Sequence, residues 1–167
     1  MTKSNEIGYK LVKVSATFTR PADTTAYAVG DSISNSTSAP LPFELDLAEY
    51  INGGGSLEVR KIAIVSSIKQ ATLPLINVFL CPETFTATND NAALDISDTI
   101  QENGGGWLNC EVQNYTASNS RVAYVGIPMP IVMPATSQKL YGALQAANAY
   151  TPGNAEKFTI VAWIAIL

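Results

Sequence analysis

The sequence predicts an all-β protein, an antiparallel β-sandwich of about eight or nine strands, and three observations carry that prediction. Short segments rich in β-branched residues recur along nearly the whole chain, parted by clusters of Asn, Ser, Gly and Pro. No stretch has the sustained period of an amphipathic helix, which removes the strand-and-helix alternation that a parallel α/β sheet needs. Hydrophobic residues make up 47% of the 167 positions, enough for a real core, while charged residues reach only 14%, against about 25% in an average soluble domain. The surface is therefore left to neutral polar groups, supplied by 15 Thr, 13 Ser and 12 Asn. One shared core is expected, because single domains usually span about 100–200 residues. Residues 1–8 are assigned to a flexible N-terminal arm and 9–167 to a single sandwich domain.

In chain order, residues 9–19 alternate, with Val12, Val14, Ala16 and Phe18 on one side and Leu11, Lys13, Ser15 and Thr17 on the other, the pattern of a half-buried strand. Residues 24–31 follow a Pro21-Ala22-Asp23 turn and end at Gly30-Asp31, before a Ser- and Asn-rich surface loop. Phe43, Leu45 and Leu47 fit a strand whereas Leu47, Tyr50 and Ile51 fit a helical turn, so 43–51 is expected as strand, then turn. Residues 57–68 are apolar on both faces from Ile62 onward, as in a central strand. A short apolar strand at 75–81 stops at Pro82, which has no N–H for the ladder, and 89–98 reads as a loop with a short helical turn. Segments 107–115, 120–127, 138–146 and 157–167 supply four further strands. Strand order depends on contacts that periodicity does not display, so it does not choose between a jelly roll and another sandwich.

The composition also removes functions. Histidine is absent, which eliminates the commonest general base, the commonest zinc ligand and every Ser-His or Cys-His nucleophile. No Gly-x-Ser-x-Gly occurs, and a carboxylate pair of the glycosidase kind is left open. Scattered Lys and Arg, with a net charge of −4, offer no basic footprint for nucleic acid. No apolar run follows the first charged residues as a leader would require, so synthesis in a cytoplasm is expected. The longest largely apolar run, 158–167, is far short of the roughly 18 residues of a membrane span. Cys81 and Cys110 are expected to be buried thiols rather than a disulfide. Asp90, Asp95 and Asp98, with Asn89 and Asn91, offer oxygen atoms to calcium without EF-hand spacing, and turn formation explains them more simply. No cofactor is expected.

Four features suggest contact surface instead. The prolines in Ile127, Pro128, Met129, Pro130, Ile131, Val132, Met133, Pro134 forbid a regular central strand, so this apolar segment belongs on an edge or an extended arm, covered by another chain or packed on its own core. Asn52-Gly53-Gly54-Gly55-Ser56-Leu57 echoes Asn103-Gly104-Gly105-Gly106-Trp107-Leu108, each just before a strand, and glycine there frees the backbone to take positive φ. Gly54, Gly105 and Trp107 are the contact candidates from these two turns. Trp107, Tyr115, Tyr124, Tyr141 and Tyr150 are candidates for a sugar-stacking platform, although core packing accounts for most of them. Finally, 158–167 is apolar on both faces, which requires a central position or a covering subunit.

Several blocks together resemble a family. Thr19-Arg20-Pro21-Ala22-Asp23-Thr24-Thr25-Ala26-Tyr27 with Gly30-Asp31, Val78-Phe79-Leu80 with Pro82, Asp90-Asn91-Ala92-Ala93-Leu94, Leu140-Tyr141-Gly142 and Ala149-Tyr150-Thr151-Pro152 to Phe158-Thr159 are similar to a group of small tailed-phage virion proteins. The resemblance implies a jelly-roll capsid decoration or cement protein on the virion exterior, non-enzymatic, bound to the major capsid protein and to itself, as a trimer rather than a dimer. The alternative is a receptor- or glycan-binding module of a phage fibre or tail.

Overall fold

The computed structural model describes residues 8–103, 105–110, 112–115 and 119–167. Its strands are β1 (Lys10–Thr19), β2 (Ser32–Ile33), β3 (Phe43–Asp46), β4 (Gly55–Ser66), β5 (Ile76–Cys81), β6 (Gly106–Cys110), β7 (Val112–Tyr115), β8 (Ser120–Met133), β9 (Lys139–Ala146) and β10 (Lys157–Ile166), with one short helix, α1 (Asp98–Glu102). They form two antiparallel sheets, β1-β10-β4-β8-β7 and β2-β9-β5-β6, and β3 pairs with β9 on the edge that β2 also uses.

Pairings are nested. The first strand joins the last, with Lys10 opposite Ile166; β3 joins β9, β4 joins β8, and β5 joins β6. The chain is thus one long hairpin, its tip between β5 and β6, rolled until its two halves face each other across the core. That is the jelly-roll arrangement of an antiparallel sandwich. The inward residues of β1 (Val12, Val14), β4 (Leu57, Val59, Ile62, Ile64) and β10 (Phe158, Ile160, Ala162, Ile164) meet Val78, Leu80, Leu140 and Leu144 of the other sheet.

The apolar character of the two central strands has separate causes. β10 lies between β1 and β4, so both edges are paired, and Ala162 and Ala165 are fully buried on its opposite faces. β5 is apolar on both faces because two cores flank it. Val78 and Leu80 enter the main core, while Phe79 and Cys81 point outward into a second cluster with Ile96 and Ala143, packed by Phe85, Leu94 and Ile100. The 82–103 connection, including α1, therefore lies over the outer face of the β9-β5-β6 sheet.

Several expectations need correction. Residues 24–31 form no regular strand and make only isolated bridges, Tyr27 with Tyr150 and Asp31 with Ala93. The strand expected at 107–115 is two: β6 pairs with β5 in one sheet and β7 with β8 in the other. The proline segment is the second half of β8, paired with β4 on one side only, since β7 covers β8 no further than Ala123. Between Val59–Met129 and Lys61–Val125 the ladder slips, with Arg60 alone facing residues 126–128. A bulge on an edge is where a strand tolerates proline. In line with expectation, Cys81 and Cys110 are buried thiols not bonded to each other; Cys110 faces Ile76, and the five-residue offset to Cys81 puts them about 17 Å apart along the strand, beyond the reach of a disulfide.

Candidate functional site

The densest polar constellation is at one end of the sandwich, where the chain leaves β1. Arg20 is 2% exposed. Its Nε donates to the Tyr27 hydroxyl (3.0 Å), one terminal nitrogen donates to the carbonyls of Asp23 (2.5 Å) and Gly153 (3.2 Å), and the other to Asp23 Oδ1 (3.0 Å) and Asp90 Oδ2 (3.1 Å). The Tyr27 hydroxyl donates to Asp90 Oδ1 at 2.6 Å, and the Ser34 amide donates to the same oxygen at 2.8 Å. Tyr27 also packs against the Tyr150 ring, with centroids 5.2 Å apart.

A second buried carboxylate lies beside it. Glu156 accepts from the Ser66 hydroxyl, from Gln70 Nε2 (2.5 Å) and from the Gly153 amide (2.9 Å). The two networks share Gly153, whose carbonyl takes Arg20 and whose amide serves Glu156. Together they clamp the end of β1, the 66–70 turn after β4, the 90 loop and the 148–157 connection.

The electrostatics follow from this packing. Burial works to lower the Arg20 pKa, but hydrogen bonds to Tyr27 and Asp23 and the charge of Asp90 outweigh it, and the guanidinium is held above its ordinary value. Burial, then the Asp90 hydrogen bond and charge, raise the Tyr27 phenol, and burial raises Tyr150. The Thr25 amide and then Arg20 hold Asp23 below the usual carboxylate range. Both Asp90 oxygens are engaged by internal donors, so the residue fastens loops rather than presenting a free base. It is likewise committed to Arg20, away from Asp95 and Asp98, and no group of three or more His, Cys, Asp or Glu among the described residues could hold a metal ion.

The contact candidates occupy a different neighbourhood, and the structure brings them side by side. Gly53, Gly54 and Gly55 have φ of 92°, 71° and 97°, and the Gly54 amide donates to the Pro134 carbonyl at 2.9 Å. The second triplet differs in cause. Gly105 and Gly106 do not have positive φ; a Cβ on Gly105 would lie 2.2 Å from the Phe79 ring, and one on Gly106 2.2 Å from the Met129 sulfur. They are glycine for space. Gly104 lies outside the described residues, as do 1–7 of the expected arm.

Along β8, Ile131 and Met133 face the main core, Pro128, Met129 and Pro134 are half-buried, Pro130 is exposed, and Val132 is 75% exposed. The side chain of Ile127 lies outside the described ones, as do those of Tyr115 and Tyr124. Trp107 is 43% exposed and lies against Phe79 at 5.2 Å, so one ring face is already spent on packing. Tyr141 is half-buried and Tyr150 buried on Tyr27, far from forming one platform with it. An open groove of about 600 Å³ on the 82–103 connection is lined by Phe85, Thr88, Asn89, Asp95, Ser97 and Ile100.

In the sequence, Arg20 and Tyr27 stand out only through the resemblance, Asp23 also as part of a turn, and Asp90 as an oxygen ligand for calcium or a turn former. Glu156 was not singled out. The Arg20–Asp90 pair spans 70 positions, so no local spacing announces it. A scarce charged residue directly after a half-buried strand is the one local signal.

No family model matches the chain, and no curated protein matches it. Among solved structures it is similar to a chain of the cyanophage Pam1 capsid asymmetric unit, with TM-score 0.34 and 12% identity over 100% of this chain and 91% of that one. It is also similar to a chain of Desmodium yellow mottle tymovirus (0.30; 16%; 99% and 91%) and one of an Israeli acute paralysis virus particle (0.30; 11%; 95% and 74%). At these scores and identities the likenesses carry no argument about what this chain does.

Proposed function

We propose that the chain is a non-enzymatic structural protein of a phage virion, a decoration or cement protein that self-associates and binds the major capsid protein on the shell exterior. A group of apolar side chains turned to water at one end of one sheet, on a sandwich whose core is otherwise apolar, carries the reading. Tyr9 (54% exposed), Leu11 (54%), Val132 (75%) and Leu167 (55%) share one end of the β1-β10-β4-β8 sheet. The register explains why. Lys10 faces Ile166, which brings Tyr9 beside Leu167; the Leu167 amide bonds to the Ser56 carbonyl, and Ser56 faces Val132. Contiguous exposed apolar surface of this kind is what a protein contact covers.

The sequence blocks that resemble small tailed-phage virion proteins support the same reading, because two of them, 19–27 and 90–94, meet in the Arg20–Tyr27–Asp90 network. The mechanism is adhesive: a standard interface buries about 1,600 Å² in total, and several repeated contacts give avidity without any single strong site. Mass spectrometry and cryo-electron microscopy of purified particles test it, with density for this chain expected on the outside of the shell. A complete particle lacking the chain removes the proposal.

A further inference from the structure

We infer that the outer face of the β1-β10-β4-β8 sheet is a docking surface for a second copy of this chain, which seats its acidic 82–103 connection there. This rests on the self-association proposed above and names its surfaces. Strands β1, β4, β8 and β10 turn five cations, Lys13, Arg60, Lys61, Arg121 and Lys157, and one anion, Glu58, to that outer face, while Lys10 has the parity of Val12 and lies over Tyr50, in a chain whose net charge is −4. Residues 82–103 hold five acids, Glu83, Asp90, Asp95, Asp98 and Glu102, and no cation. Asp90 is buried on Arg20; Asp95, Asp98 and Glu102 are exposed.

The two surfaces also match in polarity. Lys13 and Lys61 both lie over the Trp163 ring, at 5.7 and 4.6 Å from its centroid, and Arg60 lies over Tyr9 at 5.0 Å, so the cations flank the apolar end formed by Tyr9, Leu11, Val132 and Leu167. The 82–103 connection offers the complement, an open groove of about 600 Å³ with Phe85 and Ile100 in its lining and Asp95 at its side. A face-to-face contact between two cationic sheets would place like charges together, whereas sheet against connection pairs opposite charges and leaves the pair with one free surface of each kind. Such a head-to-tail contact propagates to a ring or a stack.

Sedimentation of the full chain at about 0.1 M and about 1 M salt, where the screening length falls from about 10 Å to about 3 Å, tests the charge component; association is expected to weaken as salt rises. The double variants K13E/K61E and D95K/D98K should each weaken self-association by about tenfold or more, and mixing them should restore it, because each supplies the surface the other needs. Leu11→Ser, which leaves every charge in place, should weaken it too. Reversed variants that associate as tightly as the parent chain, or that fail to recover on mixing while their urea midpoints match the parent's, overturn the inference. A chain that is monomeric in solution yet present in purified particles overturns it and leaves the virion role standing. Recovery on mixing, with no chain found in particles, supports it and removes the virion role.

Discussion

Single residues carry the polar fastening, and their cost depends on burial rather than on the kind of bond. Arg20 makes ion pairs with both Asp23 and Asp90, at 3.0 and 3.1 Å, but the Asp23 side chain is 37% exposed whereas that of Asp90 is fully buried. Removing Asp90 strands a buried guanidinium and leaves the Tyr27 hydroxyl and the Ser34 amide without their acceptor. Asp90→Ala is therefore expected to lower the unfolding free energy by about 3–5 kcal/mol, read from urea denaturation, while Asp23→Ala costs about 0–1 kcal/mol because water replaces what is lost. Equal midpoints for the two variants would contradict this account. None of it was legible in the local sequence, where Asp90 belongs to an Asn-Asp-Asn stretch that reads as a turn. Its partner is supplied by the rolling of the chain.

Elements were read with more success, since their signals are local. The alternation in β1 and the two-sided apolarity of β4 and β10 fixed their existence and their half-buried or central placement. The switch of sheets between β6 and β7 left no such mark, because apolar residues continue through it with an unchanged period. The glycine triplets show how one pattern has two causes. Gly53 to Gly55 meet a left-handed turn, whereas Gly105 and Gly106 give way to Phe79 and Met129. The aromatic ring is fixed between Phe85 and Trp107, and the thioether of Met129 is free to swing. Gly105→Ala is thus expected to cost about 1–3 kcal/mol of stability and Gly106→Ala clearly less, by the same denaturation measurement. The reverse order would show that the ring yields more easily than the sulfur.

At the scale of the whole molecule, nested pairing makes nearly every ladder long-range: β1 pairs with β10, joining residue 10 to residue 166. Loop closure must be met before these contacts reward it, so refolding is expected in the millisecond-to-second range of non-local β proteins when followed by tryptophan fluorescence, and a sub-millisecond phase that completes folding would argue against it. Charge is also distributed at this scale, with cations gathered on one sheet and acids on the connection covering the other, a division invisible in a linear tally of scattered Lys and Arg. The sequence by itself determined the class of fold, the place of most strands, and the lack of histidine chemistry, because composition and short-range period are properties of neighbours along the chain. Only the tertiary structure decided the strand order, the Arg20–Asp90 clamp and which apolar residues face water. Those are settled by which distant segments meet, and the energy that selects among such meetings comes from burial of the assembled core rather than from any local preference.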